Sequence, residues 1–346
     1  MDLLSLDYRD PIYGLIILFA LIFILSISSY WWGIFKTHEE DGSVKKFVKK
    51  FDQYDSFNDY KEMIQKKDLP TESAILMALT FEKSGEYEKA IEIYLAILKS
   101  ISEPKMRQDI LTLLGKTYYK AGFLQKSREI LLTSLKLFPK NKEALTYLSM
   151  IYENLREYEK AIEVLDTLHE QGSNIGDKRI YFKTLSIIHD KSLSNEKKVE
   201  NLIDLGLDKK IVQRKIFEFL KSYNLKMDND LLKDFNFKNL IDLVWITRID
   251  RFGEDALKDH KILAEIFSAK GEIDDAQSSD IFELNVLIKL KAQHDNSADL
   301  SFSYVCSKCK NVFPLYFYRC PKCQQIDTVE IETVLISKRY EQGSFI

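Results

Sequence analysis

The hydrophobic pattern of this chain divides it before any motif is considered. Residues 12–35, IYGLIILFALIFILSISSYWWGIF, form an uncharged run of 24 residues. About 20 apolar residues in a helix span the hydrocarbon core of a bilayer, and aromatic side chains favour its interface. A transmembrane helix is therefore expected over 12–35, with Tyr30, Trp31 and Trp32 at one boundary. Arg9 is the only basic residue upstream, whereas Lys36, Lys45, Lys46, Lys49 and Lys50 follow closely downstream. That asymmetry places the downstream side in the cytoplasm and the tail 1–11 in the periplasm, as a single-pass protein of a bacterial inner membrane. Asp2, Asp7 and Asp10 give an acidic start, unlike the basic start of a cleaved signal peptide. Residues 36–70 read as a juxtamembrane helix or linker. Val44, Phe47, Val48 and Phe51 recur at helical spacing, and the lysines between them either meet lipid headgroups or are simply solvated.

Beyond residue 70 the period is helical and the sequence repeats itself. SGEYEKAIEIY at 84–94 returns as LREYEKAIEVL at 155–165. In 34-residue windows from 71, 108 and 142, the eighth positions are Ala78, Gly115 and Ser149. Phe81, Tyr118 and Tyr152 follow three residues later, and Ala90, Ser127 and Ala161 take the twentieth position. Gly85 and Gly122 mark a turn where the third window has Arg156. Small residues at two positions let antiparallel helices approach closely, and an aromatic fills the space beside them. This is the tetratricopeptide (TPR) pattern, whose units stack because none buries its apolar face alone. A weaker copy is read at 257–290, from Ala264, Phe267, Gly271 and Ala276. Residues 177–256 read as degenerate helical pairs continuing the array, which is assigned to 71–295. Such an array presents a groove for a protein client, and Tyr119, Tyr147 and Asn154 are candidates to line it, although each also suits ordinary packing or surface positions.

Composition adds little to the fold but removes function classes. Only 12 Gly and 6 Pro are present, too few for many-stranded β folds. A net charge of −3 gives no electrostatic footprint for nucleic acid. No Gly-rich phosphate loop or GxSxG elbow occurs, and the five histidines are scattered. A non-enzymatic protein is expected.

All four cysteines lie in YVCSKCKNVFPLYFYRCPKC, residues 304–323. Two CxxC pairs, Cys306 with Cys309 and Cys320 with Cys323, are separated by ten residues. Each pair turns two sulfurs to one side, and two such turns make a tetrahedral four-sulfur site. In a reducing cytoplasm this favours a structural metal, zinc first and iron second, over a disulfide or a redox dithiol. The aromatic stretch KNVFPLYFYR and the later TVEIETVLI both read as strands, so the module over 301–336 is expected to be a small β ribbon. Phe313, Leu315, Phe317 and Tyr318 carry more apolar surface than a ribbon can bury, which predicts packing onto the last helices of the array.

The chain is thus expected to be mostly α: a TPR-type solenoid, an N-terminal transmembrane helix and a C-terminal rubredoxin-like metal-binding β ribbon. This layout, with YVCSKC, LYFY and CPKC, resembles the LapB (lipopolysaccharide assembly protein B, YciM) family. The resemblance implies that the four cysteines ligate metal and that the module docks against the TPR groove. It also implies a non-enzymatic inner-membrane adaptor that works with the protease FtsH to control LpxC and lipopolysaccharide synthesis. The alternative is a chaperone or scaffold for another membrane complex, of the envelope or of motility machinery. Lys310 stands where rubredoxin-like knuckles favour Gly.

Overall fold

The computed structural model describes residues 57–66, 68–225, 227 and 229–338, together with Leu21 and Phe23. The expected span 12–35 therefore lies almost wholly outside the described residues, as do the tail and the basic stretch 44–51. Among the described residues no helix is long and apolar enough to cross a membrane. The chain divides into two compact units, 1–138 and 139–346.

The first unit contains α1 (Phe57–Lys66), α2 (Thr71–Lys83), α3 (Tyr87–Ser100), α4 (Pro104–Lys120) and α5 (Leu124–Leu137). The second opens with α6 (Lys142–Asn154) and α7 (Tyr158–Glu170). The pairs α2/α3, α4/α5 and α6/α7 are antiparallel hairpins that coincide with the three repeat windows. Each second helix starts 16 residues into its window: 71 to 87, 108 to 124 and 142 to 158. The repeat chemistry explains the packing. Ala78, Ala90, Ser127 and Ala161 are all buried. A Cβ built on Gly115 would meet Leu131 at 2.6 Å, and Ser127 Oγ donates to the Gly115 carbonyl at 2.6 Å. A larger residue at either place would push the helices apart.

All three hairpins turn alike. The Gly85 N–H bonds the Glu82 carbonyl and the Glu86 N–H bonds the Phe81 carbonyl; Gly122 and Phe123, then Arg156 and Glu157, repeat the arrangement. This Schellman closure needs a left-handed residue after the helix. Gly85 and Gly122 supply φ of 84° and 83°, and Arg156 adopts 59° despite its side chain. The missing glycine therefore did not change the turn.

The second unit continues through α8 (Gly176–His189), α9 (Asn195–Leu205) and α10 (Lys210–Ser222). Short elements α11 (Asn229–Leu232), α12 (Ile241–Trp245) and α13 (Glu254–Asp259) lead to α14 (Lys261–Lys270) and α15 (Phe282–Ala292). A fourth hairpin, α8/α9, follows the third directly. Its second helix starts 19 residues into the window, 176 to 195, because the longer turn Asp190–Ser194 delays it. The copy read at 257–290 is corrected here. Helix α14 and the left-handed Gly271 (φ 78°) form, but 272–281 is irregular and α15 starts only at Phe282. Ala276 lies in that loop, its N–H bonded to Ser268 Oγ at 3.0 Å.

Three antiparallel strands follow in the order β2–β1–β3: β1 (Ala298–Cys306), β2 (Val312–Phe313) and β3 (Val329–Ser337). Register runs from Ala298 opposite Ser337 to Cys306 opposite Val329. The expected strand over 310–319 is corrected to two residues, Val312 and Phe313, opposite Val305 and Tyr304. Pro314 has no N–H to extend the ladder, and the side chains after it diverge to different partners.

Candidate metal centre

β1 delivers Cys306 to the first CxxC turn, and the 320–325 turn answers it. In the first turn the Lys310 N–H bonds the Cys306 carbonyl at 2.8 Å and the Cys306 N–H bonds the Asn311 carbonyl at 3.0 Å. In the second, Gln324 N–H to Cys320 and Cys320 N–H to Gln325 repeat these bonds at 2.9 and 2.8 Å. Lys310 (φ 57°) and Gln324 (φ 60°) hold matching left-handed positions.

The four Sγ atoms all lie within 4.8 Å of one another, and no disulfide joins them. Cys306 to Cys323 and Cys309 to Cys320 are 3.6 Å apart. A tetrahedron with metal–sulfur bonds of about 2.3 Å has edges of about 3.8 Å. The donor set therefore fits one tetrahedral metal, held by Cys306, Cys309, Cys320 and Cys323. Four thiolates in a tetrahedral cage suit zinc and iron alike. Cys306 and Cys320 are buried, and Cys309 and Cys323 half-buried. Phe317 and Val329 close the site within the ribbon's own core.

Backbone donors prepare the thiols unequally. Desolvation opposes ionisation of Cys306, but the N–H groups of Cys309 and Lys308 and the Thr328 hydroxyl outweigh it and bring the thiol down to about 6. The Asn311 N–H lowers Cys309 as well. Desolvation raises Cys320, and it pushes Cys323 up to about 12. A bound cation supplies the charge that lets all four ionise together.

The ten residues between the pairs, with Tyr304 of β1 and Val329 of β3, carry anchors to the helical body, and these partners lie outside the expected site residues. Arg214 on α10 is buried, and its Nη1 and Nη2 donate to the Asp242 carboxylate of α12 at 2.9 and 2.7 Å. The Arg214 guanidinium stacks 3.3 Å from the Tyr316 ring centre, and Tyr304 Oη donates to Asp242 at 3.0 Å. Lys215 Nζ sits 3.7 Å over the Tyr318 ring, which also stacks on Tyr181 of α8 at 6.1 Å and meets Tyr316 edge-on at 5.1 Å. Glu153 at the end of α6 accepts from Tyr181 Oη at 2.7 Å and from Arg319 Nε at 2.8 Å. Lys210 Nζ donates to the Val329 carbonyl.

Desolvation drives the tyrosines of this interface, Tyr181, Tyr304, Tyr316 and Tyr318, above their ordinary ionisation range. It lowers Lys210 and raises Asp327 at the same edge.

The expected packing onto the last helices is thus only part of the contact. The sheet lies on α15, where Thr333 Oγ1 donates to Glu283 at 2.8 Å, and reaches α12 through Tyr304, while the inter-pair segment lies on α6, α8 and α10. Tyr318 is engaged as expected, Phe317 turns inward to the cysteines, and Leu315 stays 77% exposed. The signal for Arg214 was present in KIVQRKIFEFL, an arginine inside an apolar helical stripe. NLIDLVW gave the same signal for Asp242, an acid inside an apolar run, and nothing comparable marked Glu153.

Tyr119 lies half-buried in α4 of the first unit; Tyr147 is half-buried and Asn154 exposed on α6 of the second. Asn154 Nδ2 donates to the Met150 carbonyl at 2.7 Å.

A tetratricopeptide-repeat family model matches residues 73–105, the α2/α3 hairpin. No curated protein matches the chain by sequence. Among solved structures, a mutant of MamA is 19% identical, covering 51% of this chain and 99% of its own, with a TM-score of 0.35. MamA from Desulfovibrio magneticus RS-1 is 16% identical, covering 60% and 96%, with a TM-score of 0.33. A kinesin light chain from Podospora anserina with nearly identical TPR-like repeats is 15% identical, covering 65% and 97%, at 0.26. The chain is therefore a mostly helical protein with TPR-type hairpins and a clustered four-cysteine site.

Proposed function

We propose that this chain is a membrane-held, non-enzymatic adaptor whose metal-bound ribbon fixes a helical surface for a protein client. The observation that carries this reading is the segment between the two CxxC pairs. It places Tyr316, Tyr318 and Arg319 on α6, α8 and α10, so the metal that shapes the segment also shapes that surface. TPR hairpins supply the protein-binding framework. The uncharged run 12–35 supports a bilayer anchor with the bulk in the cytoplasm of a bacterial cell, and Tyr119, Tyr147 and Asn154 remain the candidate client contacts.

In its finer form the reading is LapB-like: the client is LpxC, presented to FtsH. Depletion tests this directly. LpxC abundance and the ratio of lipopolysaccharide to phospholipid should change together. Unchanged levels would reject the LapB-like role and leave the scaffold for another membrane complex. Photo-cross-linkers at Tyr119 and Tyr147 in native membranes, compared with a Cys306→Ser chain, test the adaptor reading itself. Captured client should fall when the cysteine site is broken.

A further inference from the structure

We infer that the outer edge of β3 is a strand-addition site for an extended segment of a partner protein that carries basic side chains at alternate positions. This goes beyond the helical surface proposed above and does not depend on it.

Hydrogen-bond parity fixes which groups face outward. Beyond the two ends of the β1/β3 ladder, the Ser307 N–H bonds the Thr328 carbonyl at 2.7 Å, and the Lys338 N–H bonds the Ser297 carbonyl at 2.9 Å. Antiparallel pairs alternate between bonded and non-bonded. Glu330, Glu332, Val334 and Ile336 therefore turn their backbone groups toward β1. Val329, Ile331, Thr333 and Leu335 turn theirs away from it. The Val329 carbonyl fits this parity, because Lys210 reaches it from α10. Among the described residues the backbone groups of Ile331, Thr333 and Leu335 have no hydrogen-bond partner. A five-residue stretch of edge is open to a new strand, which is the geometry of β-augmentation.

The side chains state what that strand must carry. Glu330 and Glu332 are exposed on the sheet face opposite Ile331, Thr333 and Leu335, and neither forms an ion pair among the described residues. On that face Lys338 is paired with Asp299 at 3.7 Å, while Lys210 is committed to the Val329 carbonyl. Across the open edge Glu330 and Glu332 occupy non-bonded sites, where cross-strand side chains come closest. Lysine or arginine opposite them neutralises both, and an apolar residue next along covers Val334, which is 45% exposed. The intervening residues fall on the face of Ile331 and Leu335 and should be apolar. A second copy of β3 lacks these cations. Pairing β3 with itself about Ile331, Glu332 or Thr333 sets Glu332 against Glu330, Glu332 or Val334.

The test uses the full chain in detergent with two labelled seven-residue probes, one alternating Lys with Val and one alternating Glu with Val. The Lys/Val probe should bind at least tenfold more tightly by fluorescence anisotropy and slow amide exchange at Ile331, Thr333 and Leu335. Glu330→Lys with Glu332→Lys, both surface changes, should reverse the preference. Thr333→Pro should abolish binding, whereas Thr333→Ala, which loses the same bond to Glu283, should retain it. Equal binding of both probes, amide protection elsewhere, or protection of these amides by self-association would each overturn the proposal. These outcomes leave the client-cross-linking experiment unaffected, so the two readings fail separately.

Discussion

Backbone handedness at single residues decides several local features. Gly85, Gly122 and Arg156 occupy equivalent left-handed turns, yet only the first two are glycine. For a residue with a Cβ this conformation costs roughly 1 kcal/mol. Arg156→Gly is expected to stabilise the second unit by about 1 kcal/mol. Gly122→Ala should destabilise the first by a similar amount, although nothing lies within 4 Å of the added Cβ. Urea unfolding followed by far-UV circular dichroism would show a higher midpoint for one and a lower midpoint for the other. The same argument applies to the metal turns. Lys310→Gly should slow metal loss to a chelator several-fold, corresponding to about 1 kcal/mol. Equal release rates would mean that the turn at Lys310 is not strained. At this scale the sequence was informative where a known pattern gave an expectation, as at Arg156 and Lys310. Gln324 went unread because nothing singled out the residue after the second pair until the matching bonds of the two turns were seen.

Between elements, the central contact is the buried pair Arg214–Asp242, which ties α10 to α12 and, through Tyr304 and Tyr316, to the metal ribbon. Removing one partner leaves a buried charge without compensation, which costs about 3–5 kcal/mol. Asp242→Ala should therefore destabilise strongly. Arg214→Met combined with Asp242→Leu should recover most of the loss, because no charge then remains to be desolvated. A double mutant no more stable than Asp242→Ala would show that the carboxylate acts through Tyr304 instead. The tyrosines add a pH dependence. Their folded ionisation is raised above the ordinary value of 10, so their contribution is fully present below pH 10 and is lost as pH rises past it. Tyrosinate absorbance should appear late and together with undocking of the ribbon. A gradual rise centred at pH 10 would count against burial of these hydroxyls. Helical repeats were legible because their signals are local: small residues and aromatics at fixed spacing. The α8/α9 hairpin was legible only as a degenerate helical pair, since one longer turn moves its second helix out of phase. Glu153 and Arg319 are 166 residues apart, and no local pattern joins them.

At the level of the whole molecule, metal content and fold are coupled in one unit and unconnected in the other. The first unit has an apolar core of its own, from Tyr60 to Leu114, with no cysteine in it. The ribbon has only a small core, in which Cys306 and Cys320 are fully buried beside Phe317 and Val329. For so small a body the free energy of metal binding is largely its folding free energy. Chelation should therefore release about one metal per chain and raise amide exchange across β1 and β3 and then in α10, where Lys210, Arg214 and Lys215 lose their contacts with the ribbon. Exchange over 71–138 should be unchanged, and most far-UV helical signal should persist. Cys306→Ser should reproduce the chelated pattern in untreated protein. If the chelated chain instead keeps its protection at α10, the docking contacts hold without the metal and the ribbon's order comes from the helices. If protection is lost in both units alike, the metal supports more of the molecule than the four-cysteine core explains.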